Sequence, residues 1–170
     1  KESMRATTRD MLYGWTAERL VRSQTKAGQS SYLYLWDHSF PAAEAKDMHG
    51  FHGSELPFVF GTLDRTPPYW PKAPQTEAEA RLSDAMVGYW SSFVKAGRPR
   101  ASGAPDWPAF GGEGRYMRFE DGPRPSADLM PGMYALNEAV VCRRRVSGEQ
   151  AWNWNVGIAS PKLPPKADCN

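Results

Sequence analysis

The run Tyr32-Leu33-Tyr34-Leu35-Trp36, followed by Asp37 and His38, constrains this chain more than any other stretch. Five consecutive apolar and aromatic residues without alternation read as a strand buried on both faces, the kind found inside a parallel sheet. Such a strand needs neighbours on both edges to satisfy its backbone N–H and C=O groups, and layers on both faces. No second run of that strength occurs. "RYMRF" at 115–119 alternates and predicts at most one further strand. The expectation is therefore an incomplete sheet: part of an α/β fold whose remaining strands lie elsewhere.

The helical signals fit that class. Thr76 and Glu79 have the spacing of a capping box. Leu82, Met86, Tyr89, Trp90 and Phe93 then mark one face of an amphipathic helix, stopped by Gly97 and Pro99. Thr7 and Asp10 suggest a second capping box, ahead of a helix carrying Met11, Leu12, Trp15, Leu20 and Val21 to Gly28. Residues 137–145 predict a third helix, with Arg143, Arg144 and Arg145 at a solvated end that the helix dipole favours. "RTPPYWPKAP" and the tail "PKLPPKADCN" predict irregular segments.

Hydrophobic residues make up 41% of the 170, enough for a core, and a net charge of +2 gives no basis for nucleic-acid binding. No apolar stretch reaches the roughly 18 residues of a membrane span. The first residue is Lys1 rather than methionine, which suggests a processed chain or a fragment. Cys142 and Cys169 can form one disulfide or remain free thiols.

Chemistry concentrates in "HGFHGSELPFVFG", residues 49–61, which holds two of the three histidines. Three readings compete there. His49, His52 and Glu55, at steps of three, would align as metal ligands on a helix, but Gly50 and Gly53 disfavour that helix and the HExxH zinc motif is absent. The plain reading makes both histidines loop residues beside a glycine turn. The catalytic reading sets one histidine on the loop after a buried parallel strand, where open α/β sheets collect their reactive groups, as general base and then general acid. It needs a nucleophile and an orienting carboxylate. The nucleophile elbow G-x-S-x-G does not occur; "GQSSY" and "HGSEL" both fail the pattern.

Four segments in order resemble the C-terminal third of the type-B carboxylesterases, the family of cholinesterases and bacterial para-nitrobenzyl esterases. "YLYLWDH" is similar to that family's last core strand, V-Y-x-Y-x-F-x-H. "GFHGSELPFVFG" is similar to its histidine loop, G-x-x-H-G-x-E-x-x-F-V-F-G. "LSDAMVGYWSSFVKAGRPR" resembles the following helix, with its Y-W-x-x-F-x-x-x-G-x-P signature, and "WPAF" and "RYMRF" resemble what comes next. The likeness runs from about Thr8 to Tyr134.

The resemblance implies the C-terminal part of an α/β-hydrolase fold, completed by an N-terminal partner polypeptide that carries the G-x-S-x-G serine, the acid and the oxyanion loop. It implies His52 as the catalytic histidine and Glu55 as a residue buried behind the loop that holds it in place. Met48 and Phe51 flank His52 and are candidates for the substrate pocket or for core packing. His49 falls outside the motif, and His38 ends the strand in a structural role. Asp37 and Asp47 do not stand where the family places its acid. A carboxylic ester is the implied substrate, with no metal and no cofactor. Residues 1–146 are expected to belong to the esterase domain and 147–170, with Trp152 and Trp154, to an extension; a secreted or periplasmic location suits the cysteine pair. The alternative is a non-catalytic cholinesterase-like scaffold that keeps the fold and lacks the serine.

Overall fold

The computed structural model describes residues 2–149 and 163–169. It divides into two compact units, one formed by 1–23 with 130–170 and the other by 24–129. Trp152 and Trp154 lie outside the described residues.

The first unit is helical. Helix α1 (Glu2–Arg9) passes through a π-turn (Asp10–Gly14) into α2 (Trp15–Lys26). The expected capping box at Thr7 and Asp10 does not form. Thr7 lies inside α1, and its hydroxyl donates to the Ser3 carbonyl at 2.8 Å, because a threonine within a helix can satisfy itself on the preceding turn. Gly28 ends α2 as expected. It takes φ +78, with the Gly28 and Gln29 N–H groups returning to the Thr25 and Gln24 carbonyls. Helix α6 (Met133–Ser147) is the last element. The Trp15 indole donates to Glu138 at 2.8 Å, and the Arg22 guanidinium lies over the Tyr134 ring at 4.3 Å. Cys142 and Cys169 form the disulfide that the sequence left open.

The second unit holds β1 (Tyr34–Trp36), α3 (Pro41–Glu44), α4 (Leu56–Val59), α5 (Glu77–Ala96), β2 (Arg115–Phe119) and β3 (Pro123–Ala127). The sheet order is β1-β2-β3. β1 runs parallel to β2, with Tyr34, Leu35 and Trp36 opposite Met117, Arg118 and Phe119; β2 and β3 are antiparallel. β2 is thus the central strand, which its arginines concealed. Arg118 reaches out to Asp37 at 2.6 Å and Glu120 at 3.1 Å, while Met117 and Phe119 are fully buried. The prolines of β3 are tolerated because it lies on the sheet edge.

β1 is shorter than expected and is not covered on both faces. Tyr34 is 37% exposed, and the edge of β1 away from β2 carries no strand among the described residues. Helix α5 follows its pattern closely. Thr76 caps it by accepting from the Glu79 N–H, and Gly97 ends it at φ +67. Leu82, Met86 and Tyr89 are buried against Phe58, Met117 and Phe119. Fully burying side chains of this size stabilises by roughly 1.5–3 kcal/mol each. Phe93, on the same stripe, is 45% exposed.

Candidate active site

The loop from His49 to Glu55 follows α3, returns against the C-terminal end of β1 and is fixed by two glycines. A Cβ on Gly50 would stand 3.3 Å from the His38 carbonyl oxygen and 3.6 Å from that of Trp36, so the loop backbone lies directly against the strand. The Ser54 N–H donates to the Phe51 carbonyl at 2.9 Å. That bond closes a turn with His52 second and Gly53 third. Gly53 takes φ +83, a conformation glycine adopts without cost and other residues rarely do. His52 is thereby held on the outside of the turn, exposed.

Beneath the loop the polar groups are paired. His38 is buried, its Nδ1 2.6 Å from the Glu120 carbonyl and its Nε2 2.8 Å from Glu79 Oε2. A carbonyl only accepts, so Nδ1 carries a proton; the second bond holds a further proton between imidazole and carboxylate. Glu79 thus does not complete its capping box. Only the Thr76 half forms, and the glutamate turns to His38. The Trp36 indole N–H donates to the buried Ser54 hydroxyl at 2.7 Å. Sequence reasoning missed Glu79, Trp36 and Ser54 as parts of this site. The one visible signal was a departure: tryptophan where the family strand has phenylalanine.

His49 is exposed and takes φ 49. Glu44 lies 3.0 Å from its Nδ1 and Asp47 3.1 Å from its Nε2. The hydrogen bond to Glu44, and then that residue's charge, hold the His49 imidazolium above its ordinary pKa; Asp47 adds to this. The neighbouring Ser39 hydroxyl, and then the hydrogen bond from His49, lower the Glu44 carboxyl. Among the described residues, no group of three or more His, Cys, Asp or Glu side chains is placed to hold a metal ion.

The other flanking residues are Glu55, Phe51 and Met48. Glu55 is not sealed behind the loop. It is half-buried and lines a groove of about 470 Å3 with Tyr34, Leu56, Phe60, Trp90 and Val94. Burial, and then the charge of Glu55, push the Tyr34 hydroxyl up. Phe51 packs edge-on against Trp70 at 5.2 Å and borders the core, so it takes the packing role. Met48 is 37% exposed. The groove wall is apolar and open: Leu56, Phe60 and Val94 are 47%, 70% and 83% exposed.

A family model described as the carboxylesterase family matches residues 1–134. Carboxylesterase 1D of Rattus norvegicus is 31% identical over 113 residues, which cover 65% of this chain and 19% of that protein. The chain therefore spans about a fifth of the length of that curated relative. A solved esterase from Clostridium hathewayi, described as able to hydrolyse aliphatic aromatic polyesters, matches at 27% identity and a TM-score of 0.57, covering 70% of this chain and 23% of that one. A carboxylesterase structure from Geobacillus stearothermophilus gives 24% identity and a TM-score of 0.56 over 69% of this chain and 24% of its own. In fold, the chain is a segment of an α/β hydrolase.

Proposed function

We propose, from the premise that this chain belongs to the carboxylesterase family, that it supplies the catalytic histidine of a serine ester hydrolase. The observation that carries the reading is the position of His52. It stands exposed at the C-terminal end of a parallel strand, on a glycine-shaped turn whose underside is tied to that strand. Reactive groups of open α/β sheets gather at such ends.

The mechanism follows from the imidazole. His52 Nε2 takes the proton of a serine hydroxyl as that oxygen attacks the ester carbonyl. It returns the proton to the departing alcohol, then activates water to release the acyl group. A carboxylate on the other ring nitrogen fixes the tautomer, and backbone N–H groups hold the oxyanion. The serine, the acid and the oxyanion donors are assigned to an N-terminal polypeptide carrying G-x-S-x-G. This chemistry needs no metal and no organic cofactor. The substrate class is a small-molecule carboxylic ester.

The bare edge of β1 and the apolar groove beside it support the partner assignment, since unpaired edges and large apolar patches mark interfaces. Glu55, on the groove wall, becomes enclosed when that face is covered and then braces the histidine loop; Met48 is left to line the substrate pocket. The esterase portion runs over 1–146, and 147–170 form an extension tied to α6 by the Cys142–Cys169 bridge. A disulfide suits an oxidising compartment, so the location proposed is secreted or periplasmic. No described helix is long and apolar enough to cross a membrane.

The test is co-purification with a larger polypeptide followed by ester hydrolysis. In the assembled enzyme His52→Ala should lower kcat by about a thousandfold or more, and His49→Ala should leave it unchanged. An assembly that binds its partner but hydrolyses no ester would make the chain a scaffold.

A further inference from the structure

We infer that Trp36 and Ser54 form a positioning pair for His52, an inference that rests on His52 being the base. Two features of the sequence meet in one bond. Trp36 ends β1, and Ser54 stands two residues after His52. Phenylalanine offers no donor. Tryptophan brings an indole N–H into the core, where an unpaired donor is costly. Ser54 is 3% exposed and its Oγ accepts that N–H at 2.7 Å.

The geometry makes the bond more than a local satisfaction. Trp36 is fixed three times over: by its strand pairing with Phe119, by Phe58 at 4.9 Å and by His38 at 5.3 Å. Ser54 closes the turn that carries His52, its N–H bonded to the Phe51 carbonyl. One hydroxyl therefore couples the turn, two residues from the imidazole, to strand β1. A general base works within hydrogen-bond reach of its proton, and loops hold that geometry less well than strands unless they are tied to them. Neither side chain need touch the ester; both act through the orientation of His52.

The experiment is a double-mutant cycle in the assembled esterase, with kcat and KM measured on a small activated ester. Rates are expressed per serine site titrated with an organophosphate, so that loss of folded enzyme is separated from slower turnover. Trp36→Phe and Ser54→Ala should each lower kcat per site about tenfold, the cost of a small displacement of a catalytic group, with KM unchanged. The double variant should be no slower than the slower single, because both remove one bond. His52→Ala is run beside them. If it abolishes turnover while both singles keep full kcat per titrated site, or if their losses multiply in the double, the positioning role is wrong and the esterase reading stands. If His52→Ala retains activity, the esterase reading fails and the positioning role with it.

Discussion

The inner and outer sides of the His52 loop are finished in opposite ways. On the inner side His38 is bonded to Glu79 and Glu120, and Trp36 to Ser54. On the outer side Leu56, Phe60 and Val94 are exposed around Glu55. Exposed apolar side chains gathered in one groove mark a candidate interaction surface. The inner side is held by bonds within this chain, whereas the outer side is the surface on which the partner proposal rests.

The contrast is broken most severely from within. Glu79→Ala removes one member of a buried pair whose partner keeps its proton requirement, and breaking such pairs costs about 3–5 kcal/mol. His38 and Glu79 are both under a tenth exposed, so little solvent screening reduces that figure. Denaturant unfolding should show a loss of this order for Glu79→Ala, and only a few tenths for Glu77→Ala, whose side chain is exposed on the same helix turn. Equal losses would mean that the inner side is held by packing rather than by the pair.

The outer side should respond in the reverse sense. Val94→Asp is expected to change the stability of this chain by less than about 0.5 kcal/mol, since the side chain is exposed. The same variant should weaken capture of the N-terminal polypeptide about tenfold or more, because a charge would be buried without a partner. Affinity measured by titration of one polypeptide into the other decides it, and undiminished affinity would place the interface elsewhere.

How much of this was legible depended on whether a residue's partner lay nearby in sequence. The α5 stripe from Leu82 to Tyr89, its Thr76 cap and its Gly97 stop were readable because helices are specified by local periodicity and local hydrogen bonds. The Thr7–Asp10 box misled for the same reason. A capping pattern is local, and nothing in it says whether the helix has already begun. β2 was underrated because Arg115 and Arg118 interrupt its apolar run, and the Asp37 that receives Arg118 lies 81 residues away. His52 was singled out through the ordered likeness of four segments rather than through its own chemistry. Glu79 and Ser54 were missed because their partners lie 41 and 18 residues away, a distance at which spacing carries no signal. Glu55 was expected behind the loop and is half-buried on the groove wall.

The smallest effect lies at the solvent rim of the loop, where His49 sits between Glu44 and Asp47. Its pKa is raised above the ordinary 6.5, so the pairing's contribution is full below 6.5 and fades as pH rises through the folded value. Glu44 is shifted the other way, below 4.5, so its contribution is full above 4.5 and fades as pH falls through the folded value. Both are therefore complete between pH 4.5 and 6.5. The cluster is fully exposed, and exposed pairs add little to stability, which makes titration the sensitive measurement. NMR should place the His49 midpoint above 6.5, and Glu44→Gln should lower it further than Asp47→Asn, because the Glu44 hydrogen bond is the larger cause. An equal or larger fall in Asp47→Asn would overturn that ranking of the two carboxylates.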